Sequence, residues 1–179
     1  ETALAAAVPV TGSTKPDVTP TKTSRSNNQS TQPTPTSSAG CTLPARYPQS
    51  IRRWCDLIQQ EAKKNSIEAR LIAAVMLQES GGNPQAYSKS GAVGLMQVMP
   101  RDGLAASFQC KNGPCFAARP SMAELYDPAF NVNYGARMLS GLIKKQGSIR
   151  DALKAYGPMD VGYSYADKVL AIYQRYGSN

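Results

Sequence analysis

No histidine occurs anywhere in the 179 residues. Its absence removes Ser-His-Asp and Cys-His nucleophile chemistry and any zinc site built on imidazole. A zinc site made from all four cysteines survives on paper, but paired C-x-x-C knuckles are missing. No apolar run approaches the roughly 20 residues that a bilayer-spanning helix needs, so no transmembrane segment is expected. Aromatic residues are few, and the first 40 positions hold none, so that segment has nothing large to bury. Acids are outnumbered by bases, 12 to 20, for a formal charge of +8. Residues 1–40 carry three basic and two acidic side chains, which leaves +7 on residues 41–179. Such an excess favours an anionic partner: a wall polymer, a nucleic acid or an acidic membrane surface. The bases are scattered and no nucleic-acid motif accompanies them, so no nucleic-acid partner is expected.

What the chain does have is concentrated between Leu71 and Pro100. Every residue from Leu71 to Leu77 is apolar, which predicts a helix with no solvated face. Leu71, Val75 and Glu79 fall on one side of that helix at i, i+4 and i+8. A carboxylate is thereby delivered to the end of a buried apolar stripe. Burial and the negative end of the helix dipole both disfavour its ionised form. A Glu kept protonated near neutral pH is what a general acid requires. The plainer alternative is a helix-terminal Glu pointing into water, and Gly81-Gly82, suited to a left-handed cap, fits both.

The four cysteines, Cys41, Cys55, Cys110 and Cys115, are an even number, which suggests two disulfides and an oxidising compartment. Local closure of Cys110 with Cys115 is favoured by the turn signal Asn112-Gly113-Pro114 between them. A Cys41–Cys55 bridge then follows by elimination, one of three possible connectivities; four buried free thiols are the alternative. Leu4-Ala5-Ala6-Ala7-Val8 resembles the tail of a processed signal peptide and equally a simple linker. Residues 9–40 are rich in Thr, Ser, Pro, Asn and Gln, so residues 1–40 read as a disordered tether, with a removable propeptide as the alternative.

Folded structure is expected over 41–179. Ile51, Trp54, Cys55, Ile58 and Ala62 recur at helical spacing, with Arg52, Arg53, Gln59 and Lys63 on the outer face. Asn65 and Ser66 are expected to turn the chain, with Ser66 capping the central helix. After Pro100 the sequence predicts loop as far as Pro120, with room for one short helix. Ser121-Met122-Ala123-Glu124 is a capping box, and Asp127-Pro128 opens a helix with Val132, Ala136, Leu139 and Ile143 inward, stopped at Gly147. Ser148 starts a short helix through Tyr156. The last helix turns Ala166, Val169, Leu170 and Tyr173 inward and ends at Gly177. The reading is a mainly α domain, an orthogonal helix array with at most a small hairpin near Gly91–Val98.

Several of these residues form a recognisable set: Glu79-Ser80, Asn83-Pro84, Ala86, Ser88, Gly91-Ala92-Val93-Gly94-Leu95-Met96-Gln97-Val98-Met99-Pro100, Asn131-Val132-Asn133-Tyr134-Gly135 and Ala155-Tyr156. Together they resemble the soluble lytic transglycosylase catalytic domain, of the lysozyme-like superfamily, over about Ile51 to Tyr176. The resemblance implies cleavage of the β-1,4 bond between N-acetylmuramic acid and N-acetylglucosamine in peptidoglycan, without water, leaving a 1,6-anhydromuramoyl end. It implies no cofactor and no metal. Glu79 would protonate the glycosidic oxygen and then take the C6 hydroxyl proton. Ordinary glycosidases need a second carboxyl about 5–10 Å away, whereas Leu71–Pro100 contains no acid except Glu79. Asp102, Asp127 and Asp160 are the distant acids that a fold could bring back.

By the same resemblance, Ser88 approaches the muramoyl acetamido group, Gln97 and Met99 line the glycan groove, and Tyr156 sits close to the acid. Tyr134 lines the same groove or simply packs. Two features depart from the family pattern. The usual Ala-Tyr-Asn reads Ala155-Tyr156-Gly157, and the Cys110–Cys115 insertion is not a general family feature. A periplasmic or secreted monomer is implied, with a secretion or conjugation apparatus as a conceivable partner. The alternatives are a hydrolytic muramidase on the same scaffold and a wall-binding or secretion-apparatus module without catalysis.

Overall fold

The computed structural model describes residues 40–158 and 161–177, so the tether expected over residues 1–40 lies almost wholly outside the described residues. Among the described residues seven α-helices follow in order: α1 (Gln49–Arg52), α2 (Cys55–Asn65), α3 (Ala69–Ser80), α4 (Met122–Leu125), α5 (Pro128–Gln146), α6 (Ile149–Tyr156) and α7 (Ser164–Gly177). A 3₁₀ turn at Gly103–Ser107 precedes two short strands, β1 (Gln109–Cys110) and β2 (Gly113–Pro114).

The centre is α3. Leu71, Ile72, Ala73, Ala74, Val75 and Met76 are all within 2% of complete burial, as an all-apolar heptad must be when its every side meets protein. It packs between α2 and α7, while α5 lies against both α2 and α6. Burying each large aliphatic side chain contributes about 1.5–3 kcal/mol, so this helix adds strongly to cohesion and its end is firmly placed.

Local signals explain most of the boundaries. Ser121 and Glu124 form the expected capping box at α4, Asp127 accepts from the Phe130 N–H at the start of α5, and Gly147 ends α5 in a left-handed conformation. Gly81 closes α3 the same way, at φ 61°. Three expectations are corrected. The first amphipathic stretch is two helices, broken at Arg53-Trp54. Ser66 is not the N-cap of the central helix; it is the left-handed C-cap of α2, and Glu68 precedes α3 without a side-chain cap. The two-stranded hairpin lies at 109–114, where a disulfide closes the turn; around Gly91–Val98 only single bridges form, Tyr87 to Val93 and Val93 to Val98.

Disulfides join Cys41 to Cys55 and Cys110 to Cys115. The first ties the segment ahead of α1 to the start of α2. A buried polar staple holds α2 to α5: Glu61 accepts from Asn133 Nδ2 at 2.8 Å and from Asn65 Nδ2 at 3.2 Å, and Ser140 donates to the Asn65 carbonyl at 2.8 Å. Amide donors thus satisfy this nearly inaccessible carboxylate, as burial requires.

Candidate active site

Glu79 leaves the last turn of α3, half-buried, where the fully buried run gives way to the Gly81-Gly82 turn. Three bonds fix that turn. Ser80 Oγ donates to the Leu95 carbonyl at 2.8 Å and accepts from the Gly82 N–H at 3.1 Å, and Trp54 Nε1 donates to the Gly82 carbonyl at 3.0 Å. Gly82 has φ +86°, and a Cβ there would stand 2.1 Å from the Ser50 carbonyl oxygen, so no side chain fits.

Withdrawal from water raises the Glu79 pKa to about 7; a hydrogen bond from the Tyr165 hydroxyl to Oε1 works in the opposite direction. Among the described residues no charged group contributes to the shift. At neutral pH about half of the carboxyl is therefore protonated, with that proton free to sit on Oε2 while Oε1 accepts from Tyr165. Burial, and the neighbouring carboxyl after it, push the Tyr165 phenol far upward, so it stays a donor at every working pH.

The loop facing this helix end is gripped from behind by α5 and α6. Asn131, fully buried, accepts from the Met96 N–H at 2.8 Å and donates to the carbonyls of Val93 and Leu125, each at 2.8 Å. Tyr156 Oη donates to the Met96 carbonyl at 2.8 Å. Both polar groups of the Met96 peptide are thus clamped, and Gly135 lets α5 approach until a Cβ there would stand 2.6 Å from Met96 Cβ. Gly94 lies at φ +78° with a would-be Cβ 2.3 Å from Asn131 Nδ2.

The residues singled out from sequence fall around this clamp. Ser88 is half-buried; its Oγ accepts from the Ala92 N–H at 2.9 Å, which leaves its hydroxyl hydrogen to donate elsewhere. Gln97, at φ 46°, directs Nε2 to the carbonyls of Ala86 and Gly94 at 3.2 and 3.0 Å, so half of its amide braces the loop. Met99 is half-buried, whereas Met96 is in the core. Tyr156 bonds the Met96 backbone and not the acid, although Glu79's charge contributes to the upward shift of its phenol. Tyr134 stacks on Phe130, with ring centroids 6.3 Å apart. Of the distant acids, Asp102 accepts from the Met122 N–H and Asp127 caps α5, and neither affects the titration of Glu79. Asp160 lies outside the described residues.

Tyr165 is the site residue that sequence reasoning missed, because 86 positions separate it from Glu79. A signal existed: Tyr165 and Val169 share the inward stripe of α7 at i, i+4, and a buried tyrosine hydroxyl needs a partner. The Asn131 clamp was likewise invisible as a hydrogen-bonding device.

Fold and site together define a lysozyme-like helical domain organised round one carboxylic acid. The chain belongs to the family described as the transglycosylase SLT domain, whose model matches residues 56–162. It is 39% identical over 102 residues to the membrane-bound lytic murein transglycosylase E of Buchnera aphidicola, covering 57% of this chain and 45% of that one. It is 34% identical over 124 residues to the membrane-bound lytic murein transglycosylase C of Actinobacillus pleuropneumoniae, covering 68% of this chain and 33% of that one. An inactive mutant of the lytic transglycosylase Slt from Pseudomonas aeruginosa superposes with a TM-score of 0.55 at 28% identity, over 74% of this chain and 24% of that one. The chain thus spans less than half the length of the curated relatives it matches.

Proposed function

We propose that this domain is a peptidoglycan lytic transglycosylase with Glu79 as its only proton-transfer group. The observation that carries this reading is a carboxyl whose pKa burial raises to about 7, so that it both gives and takes a proton near neutrality, with no second carboxylate acting on it among the described residues. Glu79 Oε2–H donates its proton to the oxygen bridging N-acetylmuramic acid and N-acetylglucosamine, and the C1–O4 bond breaks. The carboxylate left behind takes the proton of the muramoyl C6 hydroxyl as O6 closes on C1. A 1,6-anhydro ring forms, the acid is restored, and no water is consumed. Positive charge at C1 is met by the substrate's own acetamido oxygen, which removes the need for the second carboxyl of ordinary glycosidases.

The remaining assignments follow from available groups. Ser88 offers a hydroxyl donor to the acetamido group. Gln97 Oε1, which no described protein group bonds, accepts from a sugar hydroxyl. Met99 supplies an apolar contact, Tyr134 a ring face, and Tyr156 the rigid backing of the Met96 peptide. The +7 on residues 41–179 favours dwelling on an anionic wall. Two disulfides suit a periplasmic or secreted location. We further read the domain 41–179 as a monomer tethered by residues 1–40, a reach that suits service to a secretion or conjugation apparatus.

Mass spectrometry of purified peptidoglycan digested with the protein tests the reaction. Anhydromuramoyl ends that vanish in Glu79→Gln, with the variant still folded, are the expected result. Reducing ends in their place identify a hydrolase, and clearing that survives in Glu79→Gln refutes the assignment altogether.

A further inference from the structure

Beside the clamp on Met96 lies a run of alternating rings and guanidinium groups, of which the proposed reaction uses only the Tyr134 ring face. Tyr134, one residue before the Gly135 that abuts Met96, is flanked by Arg119 at 5.9 Å and Arg137 at 5.2 Å from its centroid. Arg119 also lies 6.0 Å from the ring of Phe116, which meets Phe108 edge-on at 5.9 Å. On the other side Tyr134 stacks on Phe130. The first half of this ladder comes from the segments flanking the Cys110–Cys115 loop, the second from α5. Phe108 and Phe130 are exposed, 43% and 37% of their surface reaching solvent.

The charges on this ladder are unmatched. Arg70, Arg101 and Arg150 each pair with a carboxylate, whereas among the described residues none stands within 4 Å of Arg119 or Arg137. Arg119 is half-buried, and its charge opposes the upward shift of the Tyr156 phenol, so it lies within electrostatic reach of the site. Arg119 Nη1 also meets Met138 Sδ at 2.7 Å, which fixes that side chain in place, while Arg137 is exposed; guanidiniums held in this way are preorganised for planar anions. The sugar rings of a glycan strand are neutral and would need the rings alone. The carboxylates of a wall polymer are on the peptides borne by its muramoyl lactyl groups.

We propose that Arg119 and Arg137, set on Tyr134 and the disulfide-closed loop, form an accessory subsite for the anionic peptide stems of the glycan strand, an inference that rests on the function proposed above. The loop then selects stem-bearing stretches of wall and holds them while Glu79 acts on the glycan beside them.

The test compares two substrates, intact stem-bearing strands and strands stripped of peptide by an amidase and then capped as methyl amides at the lactyl carboxylates the amidase frees, with wild type, Arg119→Gln, Arg137→Gln and the double variant. In each single variant the ratio of kcat/KM on stem-bearing to stripped strands falls about fivefold, and in the double variant tenfold or more, through KM. Arg137→Gln, on the exposed face of α5, gives a reading even if Arg119→Gln folds poorly. An equal loss on both substrates, or no loss on either, overturns the subsite. Equilibrium binding of the two soluble strand preparations, followed by isothermal titration calorimetry, reads the same ratio without turnover, so a wild-type protein that makes no anhydro ends would sink the proposed reaction and leave the stem subsite separately decided.

Discussion

The backbone of Gly157 lies against the ring of Tyr165, the residue whose hydroxyl bonds Glu79: a Cβ at position 157 would stand 2.4 Å from both Cγ and Cδ1. Tyr165 is nearly buried, so its ring has little room to retreat. The departure from the family's Ala-Tyr-Asn thus does more than delete an amide, because the missing side chain is the space the phenol occupies. Gly157→Asn, which restores the family residue, is expected to destabilise the domain by about 1–3 kcal/mol through overpacking. It also displaces Tyr165 from Glu79. Thermal melts and the pH–rate profile of the variant check both effects.

Tyr165→Phe isolates the hydrogen bond from the packing. The bond lowers the Glu79 pKa, so removing it moves the alkaline limb of kcat/KM to higher pH than the wild type's midpoint near 7. The carboxyl also loses its anchor, and kcat falls about ten- to a hundredfold. A pH midpoint that stays put or moves down contradicts the bond's role.

Stability should carry the signature of the same group. Between the ordinary value near 4.5 and the folded value of about 7, the unfolded chain releases the Glu79 proton while the folded chain keeps it. The unfolded state then binds fewer protons, so stability is full below pH 4.5 and declines as pH rises through about 7, by on the order of 3 kcal/mol. Glu79→Gln removes that decline: the variant is more stable than wild type at pH 8 and indistinguishable from it at pH 4. Urea denaturation at the two pH values measures the difference.

Asn131→Ala strips partners from the Met96 N–H and from the carbonyls of Val93 and Leu125 at once. The Val93 carbonyl keeps the Val98 N–H, so the Met96 N–H and the Leu125 carbonyl are left unsatisfied at about 1–3 kcal/mol each, and a loss of about 2–6 kcal/mol is expected. Hydrogen exchange should show the Met96 amide exposed earlier than the amides of α3.

Reduction of the disulfides separates structural from local effects. Cys41–Cys55 spans 14 positions at the entrance to α2, and replacing the pair by serine is expected to lower stability by about 2–4 kcal/mol. Cys110–Cys115 closes only five positions on an exposed loop, so its loss lowers stability less. Chemical denaturation of the two double-serine variants ranks them.

Sequence alone determined whatever depends on neighbours within a turn or two. An apolar heptad has no side to offer water, so α3 had to be central; Ser121, Asp127 and Gly147 fix helix ends by bonds or φ angles confined to a few residues. The same locality put Glu79 at the tip of a buried stripe, and an unbroken motif from Gly91 to Pro100 marked the loop beside it. The break at Trp54 and the position of the hairpin were not legible, because neither changes the spacing of apolar residues. Only the tertiary structure decided which phenol reaches Glu79, that Asn131 and Tyr156 clamp one peptide from two helices, and that two arginines flank Tyr134 without a counter-charge. The hydrogen bonds among these join positions 35 to 86 apart in the chain, and a bond across such a distance leaves no periodicity for a sequence to show.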